Sequence, residues 1–175
     1  ITMLSVPTST PGIEIRPIAT MGLEVNDVFF TDCVIGKDRL VGVEGQGWQQ
    51  LILGLNTERV IVGALALGQA RRAFDDTLAY VKQRDQFGKP VGSFQALSHR
   101  LADLATEIEV TRLLVHDVAQ RVDENPGTLM PREASMVKLK ATEVAKLAAL
   151  EGMQMMGGMG YTQEAGMEEQ LRATI

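Results

Sequence analysis

The chain has 175 residues, 45% of them hydrophobic, which is enough apolar material for a sizeable core and suits one globular domain plus part of another. Its net charge of −5, without any block of lysines or arginines, gives no support to binding of nucleic acid or of a membrane surface. A single cysteine, Cys33, excludes an internal disulfide, and we expect neither a signal peptide nor a membrane span.

Residues 1–41 have the composition of β-strands. Two short apolar segments, 1–6 and 13–18, flank a turn that contains Pro7, Pro11 and Gly12, so we predict that they pair with each other. A third segment, 24–35, is rich in valine and phenylalanine. We predict the end of a β domain at 1–41, a linker at 42–47 with three glycines, and a helical domain at 48–175.

A long first helix is predicted from residue 48 to about residue 83. Its predicted core-facing stripe is Leu51, Leu55, Val62 and Leu65. Glu58 completes this stripe, although an ionised carboxylate is expensive to remove from water. Two interpretations are open at this point: Glu58 pairs with a basic neighbour such as Arg59, or it takes part in chemistry.

The first helix is predicted to run into R-D-Q-F-G-K-P at residues 84–90, with Arg84 in its last turn and Gly88 as a left-handed cap. A second helix is predicted after Ser93 as N-cap, and a third from about 131 to 156. The predicted buried stripe of the second helix is Leu97, Leu101, Leu104, Ile108, Thr111, Val115, Val118 and Val122. That of the third is Val137, Ala141, Val144, Ala148 and Met155. Both histidines, His99 and His116, fall off these stripes and are predicted to be solvated.

Three strings in this order resemble the acyl-CoA dehydrogenase family. They are G-V-E-G-Q-G-W at 42–48, R-D-Q-F-G-K-P-V-G-S-F-Q at 84–95, and Q-M-M-G-G-M-G-Y at 154–161. The resemblance covers nearly the whole chain. It implies a mainly α fold, in which the last strands of the family's middle β-barrel domain precede its C-terminal up-down helical bundle. Because the chain begins at Ile1 and stops within a patterned segment, we expect a fragment, which alone lacks half of the active-site wall.

The resemblance implies an enzyme that uses FAD to dehydrogenate an acyl-CoA thioester to 2-enoyl-CoA. A glutamate removes the α-proton while hydride passes from the β-carbon to flavin N5. In most of the family this glutamate lies in a segment that would follow residue 175. In the isovaleryl-CoA and long-chain branches it lies in an L-x-x-E-R string, which L-N-T-E-R at 55–59 matches. The resemblance therefore implies that Glu58 is the catalytic base and that Asn56 and Arg59 bind substrate.

For the flavin, Arg84 matches the family arginine that meets the pyrophosphate of a cofactor bound mainly to the neighbouring subunit. The other implied flavin contacts are Gln86, Phe87, Phe94, Gln95, Gln154, Met155, Met156, Gly157 and Gly158. A cofactor shared between subunits implies a homodimer or homotetramer. The family also implies an acceptor like electron-transfer flavoprotein, a place in fatty acid metabolism, and a bacterial cytoplasm or a mitochondrial matrix.

Two segments depart from the family pattern: the loop at 20–26 lacks the usual glycine-rich string, and the tail at 165–175 lacks R-D-A-R. One alternative is therefore a non-catalytic assembly or binding module on the same scaffold. Another is a flavin oxidase or hydroxylase of the same fold, because a fold does not fix a reaction. The spacing of His, Cys and carboxylates supports no metal site, and there is no Ser/His/Asp constellation to argue for.

Overall fold

The computed structural model describes residues 1–22 and 24–175, and its fold is mainly α. The strands are β1 (Met3–Leu4), β2 (Ile13–Ile18), β3 (Val25–Phe30), β4 (Leu40–Val41), β5 (Asp85–Gln86) and β6 (Lys89–Pro90). The helices are α1 (Gly47–Gln83), α2 (Gln95–Glu124), α3 (Pro131–Met156) and α4 (Met167–Arg172). The predicted fold class, with three long helices after a set of strands, is confirmed.

Contacts divide the chain into two compact units, Ile1–Leu55 and Asn56–Ile175. The boundary between them falls within α1, whereas the division predicted at residues 42–47 stays a prediction. In the first unit β1 pairs with β4 and β2 pairs with β3, both antiparallel. The predicted pairing of segments 1–6 and 13–18 is wrong, because β3 offers β2 a six-residue register that β1 is too short to match. In the departing loop at 20–26, Leu23 lies outside the described residues.

The core of the second unit is formed by the predicted faces of α2 and α3. Six residues of the α2 stripe are buried: Leu101, Leu104, Ile108, Thr111, Val115 and Val118. Leu97 and Val122, at the two ends of that stripe, are partly buried. The whole predicted face of α3 is buried, and both histidines are exposed as expected. The 4-and-3 spacing of apolar residues therefore identifies the packing faces of these two helices correctly.

The packing face of α1 differs from the predicted one. Its buried residues are Gly47, Asn56, Val60, Gly63, Ala66, Leu67, Ala70, Ala73, Thr77 and Val81. Of the predicted stripe, Leu51 and Leu65 are exposed and Leu55 and Val62 are only partly buried, and Glu58 is exposed. The reason is side-chain size, since a Cβ added to Gly63 would lie only 2.4 Å from Cγ1 of Val137 on α3. Small residues on this side let α3 approach closely, so the argument that Glu58 is a buried carboxylate fails for this part of the protein.

The ends of α1 and α2 also differ from expectation. Ser93 does not cap α2, because its hydroxyl donates to the Pro90 carbonyl (2.7 Å) and Phe94 occupies the N-cap position. Helix α1 ends at Gln83, so Arg84 follows the helix, although its N–H still donates to the Tyr80 carbonyl (2.9 Å). Gly88 is not a helix cap but the second residue of a hairpin turn between β5 and β6.

Among the described residues, α1 is the one helix that is long and apolar enough to cross a membrane by length and composition. The expectation of no membrane span stays a prediction. Core helices of soluble proteins pass the same test, so a single such helix is weak evidence for a membrane span.

Replacing Gly63 with alanine is expected to lower the free energy of unfolding by about 1–3 kcal/mol, as overpacking of a core does. The new methyl group would collide with Val137, which is fully buried and has a stiff, branched side chain. Denaturant unfolding measures the loss.

Gly68→Ala in the same helix is the matched control, because a Cβ there meets no atom within 4 Å. It should stabilise the protein by up to about 1 kcal/mol through helix propensity. Equal effects of the two substitutions would refute the close approach of α1 and α3 at Gly63.

Candidate functional site

A cavity of about 800 Å³ lies where four parts of the second unit meet: the end of α1, the β5–β6 hairpin, the start of α2 and the end of α3. Every residue predicted to contact a flavin lines it except Gln95. These residues are Arg84, Gln86, Phe87, Phe94, Gln154, Met155, Met156, Gly157 and Gly158. Strings separated by about 60 residues of sequence thus come together at one surface, and their role as flavin contacts stays a prediction.

The β5–β6 hairpin forms one wall of the cavity. Its two-residue turn, Phe87-Gly88, has φ values of 54° and 80°, the pattern of a type I′ turn. A phenylalanine in this left-handed region is strained, and its ring is 91% exposed. The Phe87 ring packs edge to face against the ring of Phe94, with the two centroids 6.1 Å apart. The Lys89 Nζ lies over the Phe94 ring, 4.3 Å from its centroid. The hairpin therefore forms an aromatic rim, and this rim requires a strained backbone conformation at Phe87.

The opposite wall comes from the end of α3. Gly157 has φ 60° and ψ −138°, a conformation that favours glycine, and it ends the helix. A Cβ added at Gly157 or Gly158 would meet no atom within 4 Å, so both glycines face open space. Met155 and Met156 are buried behind them, while Gln154 is exposed. Because Gly157 and Gly158 have no side chain, a flat ligand can come into direct contact with the main chain here.

The charges that line the cavity are all positive. They belong to Arg84, on the hairpin side, and to Arg100 on α2. Arg100 forms an ion pair with Glu151 of α3, whereas Arg84 has no ion pair among residues 1–22 and 24–175. No carboxylate lines the cavity, and in the described part of the chain no three His, Cys, Asp or Glu side chains are grouped as metal ligands. The arrangement suits an anionic organic ligand.

The predicted substrate residues lie elsewhere on α1. Asn56 is buried, with 8% exposure, yet neither atom of its amide has a hydrogen-bond partner in the described residues. Buried side-chain amides nearly always have partners, which makes Asn56 a candidate binding residue. Arg59, one turn further on, is partly buried, and Glu58 shares the outward face with Ile61 and Leu65. Along the helix axis, Glu58 is roughly 33 Å from Tyr80 at the cavity, at 1.5 Å per residue.

Residues 45–174 match the family model described as acyl-CoA dehydrogenase, C-terminal domain. The chain belongs to the acyl-CoA dehydrogenase family. A probable acyl-CoA dehydrogenase of Bacillus subtilis, YngJ, is 40% identical over 177 residues, which cover 98% of this chain and 46% of that protein. The mitochondrial short/branched chain specific acyl-CoA dehydrogenase of Bos taurus is 35% identical over 176 residues, which cover 98% of this chain and 40% of that protein.

Solved structures of the acyl-CoA dehydrogenase family share the fold. The acyl-CoA dehydrogenase of Geobacillus kaustophilus has a TM-score of 0.92 at 38% identity, covering 98% of this chain and 46% of that one. A protein described as an FAD-dependent dehydrogenase has a TM-score of 0.92 at 29% identity, covering 99% of this chain and 47% of that one. The chain thus spans less than half the length of each of these four relatives.

Sequence reasoning missed some residues that line the cavity in this family member. They are Tyr80, Val91, Ala96, Leu97, Arg100 and Met159. Helical spacing could have found Ala96, Leu97 and Arg100, because they lie within two turns of Phe94. No sequence pattern indicated Val91, because the unpredicted β5–β6 hairpin places it at the cavity. The Val91 N–H donates to the Arg84 carbonyl across the base of that hairpin (2.8 Å).

We expect Phe87→Asn to raise the free energy of unfolding by about 1 kcal/mol, because asparagine tolerates the left-handed region and Asn-Gly is the favoured pair for this turn. The phenylalanine ring is almost fully exposed, so its removal loses little burial. The denaturation midpoint, at unchanged slope, measures the gain.

Gly88→Ala is the opposite control for that turn. Its φ of 80° disfavours a side chain although the space beside it is open, so a loss of stability there reports the backbone alone. A Phe87→Asn protein less stable than wild type would mean that the contact with Phe94 outweighs the backbone strain.

Proposed function

We propose that this chain belongs to an FAD-dependent acyl-CoA dehydrogenase that converts an acyl-CoA thioester to the 2-enoyl-CoA. The observation that carries the proposal is the single cavity that collects the predicted flavin contacts from four elements, in a chain that belongs to this family. The proposal extends to the whole protein, of which relatives have more than twice this length.

The cavity fits FAD on chemical grounds. A dinucleotide carries a charged pyrophosphate, and the guanidinium of Arg84, which has no ion pair within the described residues, offers a fork of donors that matches phosphate oxygens. The flat rings of FAD suit the aromatic rim of Phe87 and Phe94. They also suit the open backbone at Gly157 and Gly158. The absence of carboxylates from the wall avoids repulsion of the phosphates. Bound FAD supplies the acceptor for the hydride that leaves the substrate β-carbon.

Glu58 is the proposed base that removes the α-proton of the thioester. Proton abstraction next to a thioester needs a carboxylate of raised proton affinity, placed within hydrogen-bond reach of that proton. Glu58 shares its face of α1 with the exposed side chains of Ile61 and Leu65. When substrate and the rest of the protein cover this apolar face, water is excluded from the reacting groups.

Asn56 and Arg59 are proposed to hold the acyl-CoA near that base. The unpartnered amide of Asn56 has both a donor and an acceptor to offer, so it can bond a carbonyl and an N–H group together. Arg59 provides a guanidinium for the phosphates of CoA. Because residues three apart share one side of a helix, Asn56 and Arg59 can hold one acyl-CoA together and help to orient it.

The distance along α1 supports a shared active site. An FAD held in the cavity of one copy cannot extend over the roughly 33 Å, at 1.5 Å per residue, that separates Tyr80 from Glu58. We therefore propose a homodimer or homotetramer in which the cavity of one copy serves Glu58 of another. An acceptor like electron-transfer flavoprotein would reoxidise the flavin, in the cytoplasm of a bacterium or in a mitochondrial matrix.

Anaerobic mixing of the full-length protein, purified with its flavin, with a panel of acyl-CoA thioesters tests the proposal. The wild type should bleach with at least one thioester. Glu58→Gln should bind that thioester and bleach about 10²–10⁴-fold more slowly, the usual contribution of a general base.

Glu143→Gln, on the exposed surface of α3, is the control and should bleach at the wild-type rate. Normal reduction of the Glu58→Gln protein would place the base elsewhere. A wild type without flavin would favour the non-catalytic module, and a flavin reduced by thioester that then reacts rapidly with oxygen would favour the oxidase.

Asn56→Leu should separate stability from substrate binding. Removing a buried amide that lacks partners is expected to stabilise the substrate-free protein by about 1–3 kcal/mol, the penalty of an unsatisfied group. The same change should raise KM for the thioester, because the donor and acceptor are lost. A thermal melt and a substrate titration measure the two effects, and a fall in stability with unchanged KM would contradict the assigned role.

A further inference from the structure

We infer that Arg100 is a second anion-binding residue of the cavity, positioned by Glu151, and this inference rests on the proposed binding of FAD. Neither residue belongs to the three strings that resemble the family. Arg100 lies on α2, one turn after Leu97, and both line the cavity. Glu151 lies on α3, one turn before Gln154, which lines the opposite side.

The ion pair fixes the Arg100 guanidinium at the cavity wall. The Glu151 side chain is 23% exposed, and its Oε2, the atom that meets Arg100 in the ion pair, is buried without a hydrogen-bond partner in the described residues, whereas the Arg100 side chain is 45% exposed. The pair therefore has an inner end, which is the carboxylate, and an accessible end, which is the guanidinium. A smaller cavity of about 210 Å³ lies on the far side of the pair, where both residues form part of its wall.

Arg100 retains hydrogen-bonding capacity for a ligand. A guanidinium has five N–H donors in a fixed plane, and Glu151 is its one ion-pair partner within the described ranges. Since the carboxylate restricts the rotamers of this long side chain, less conformational entropy is lost when a ligand binds. With Arg84, the cavity then has two guanidinium groups for a ligand with two phosphates.

The same ion pair could serve only to join α2 to α3, and the chain contains a natural control for that role. Lys140 of α3 pairs with Glu107 of α2, so it links the same two helices. Its side chain is 37% exposed, comparable with that of Arg100, but Lys140 does not line the flavin cavity. A purely structural role predicts that Arg100→Met and Lys140→Met behave alike.

Equilibrium binding to the flavin-free, full-length protein tests the inference with three probes: FAD, ADP and adenosine. Arg100→Met should weaken FAD and ADP by about tenfold or more, the size expected for hydrogen bonds to a charged group, and leave adenosine unchanged. Glu151→Gln should weaken FAD and ADP less, because the guanidinium remains but loses its orientation. Lys140→Met should bind all three like wild type.

Arg100→Lys keeps the positive charge and the ion pair with Glu151 but loses the planar fork of donors. It therefore separates a loss of ligand binding from a folding defect caused by the methionine substitution. It should melt like wild type without ligand and still bind ADP more weakly. The inference would be overturned if Arg100→Met and Lys140→Met bound ADP with equal affinity, or if Arg100→Met lost as much affinity for adenosine as for ADP. Either result would leave the proposed function intact as long as the wild type binds FAD. A wild type that binds no FAD would remove the proposed function and this inference together.

Discussion

The close approach of α1 and α3 is the constraint on which the rest of the helical unit depends. At Gly63 no side chain fits between α1 and Val137, and at Gly152 of α3 an added Cβ would lie 2.5 Å from Oγ1 of Thr77. Thr77 satisfies its own buried hydroxyl by donating to the Ala73 carbonyl (2.6 Å), so this contact leaves no unpaired donor. Because α1 and α3 meet at Gly63 and again at Gly152, the hairpin after α1 and the glycines after α3 face each other across the cavity.

The same constraint explains how far sequence reasoning reached. The stripes of α2 and α3 consist of large apolar residues at helical spacing, and the hydrophobic effect selects such faces for burial. In α1 close packing selected a face on which small residues alternate with larger ones, while Leu51, Ile61 and Leu65 remain outside. Periodicity of hydrophobicity alone could not reveal that choice. The hairpin was missed because Phe-Gly is not a usual turn pair, and the exposed ring at φ 54° has no advantage for folding.

The residues proposed to bind ligands, in the cavity and further along α1, have features that do not help folding. The turn holds Phe87 in a strained conformation, Asn56 has a buried amide without partners, and apolar side chains lie exposed beside Glu58. Each of these was either wrongly predicted or unrecognised from local rules, which assume that every residue is placed to stabilise its own element. The resemblance to a family singled out Asn56 and Phe87 where those rules could not, and their roles as ligand contacts stay predictions.

The separation of Glu58 from the cavity has a genetic consequence under the proposed arrangement. A chain lacking Glu58 and a chain lacking Arg84 would each be inactive alone, since every site draws one group from each copy. When both alleles are expressed in one cell, a mixed dimer combines the intact Glu58 of one chain with the intact cavity of the other. Two null alleles of one gene would then restore an activity that neither supplies alone, so complementation between them would not show that the mutations lie in different genes.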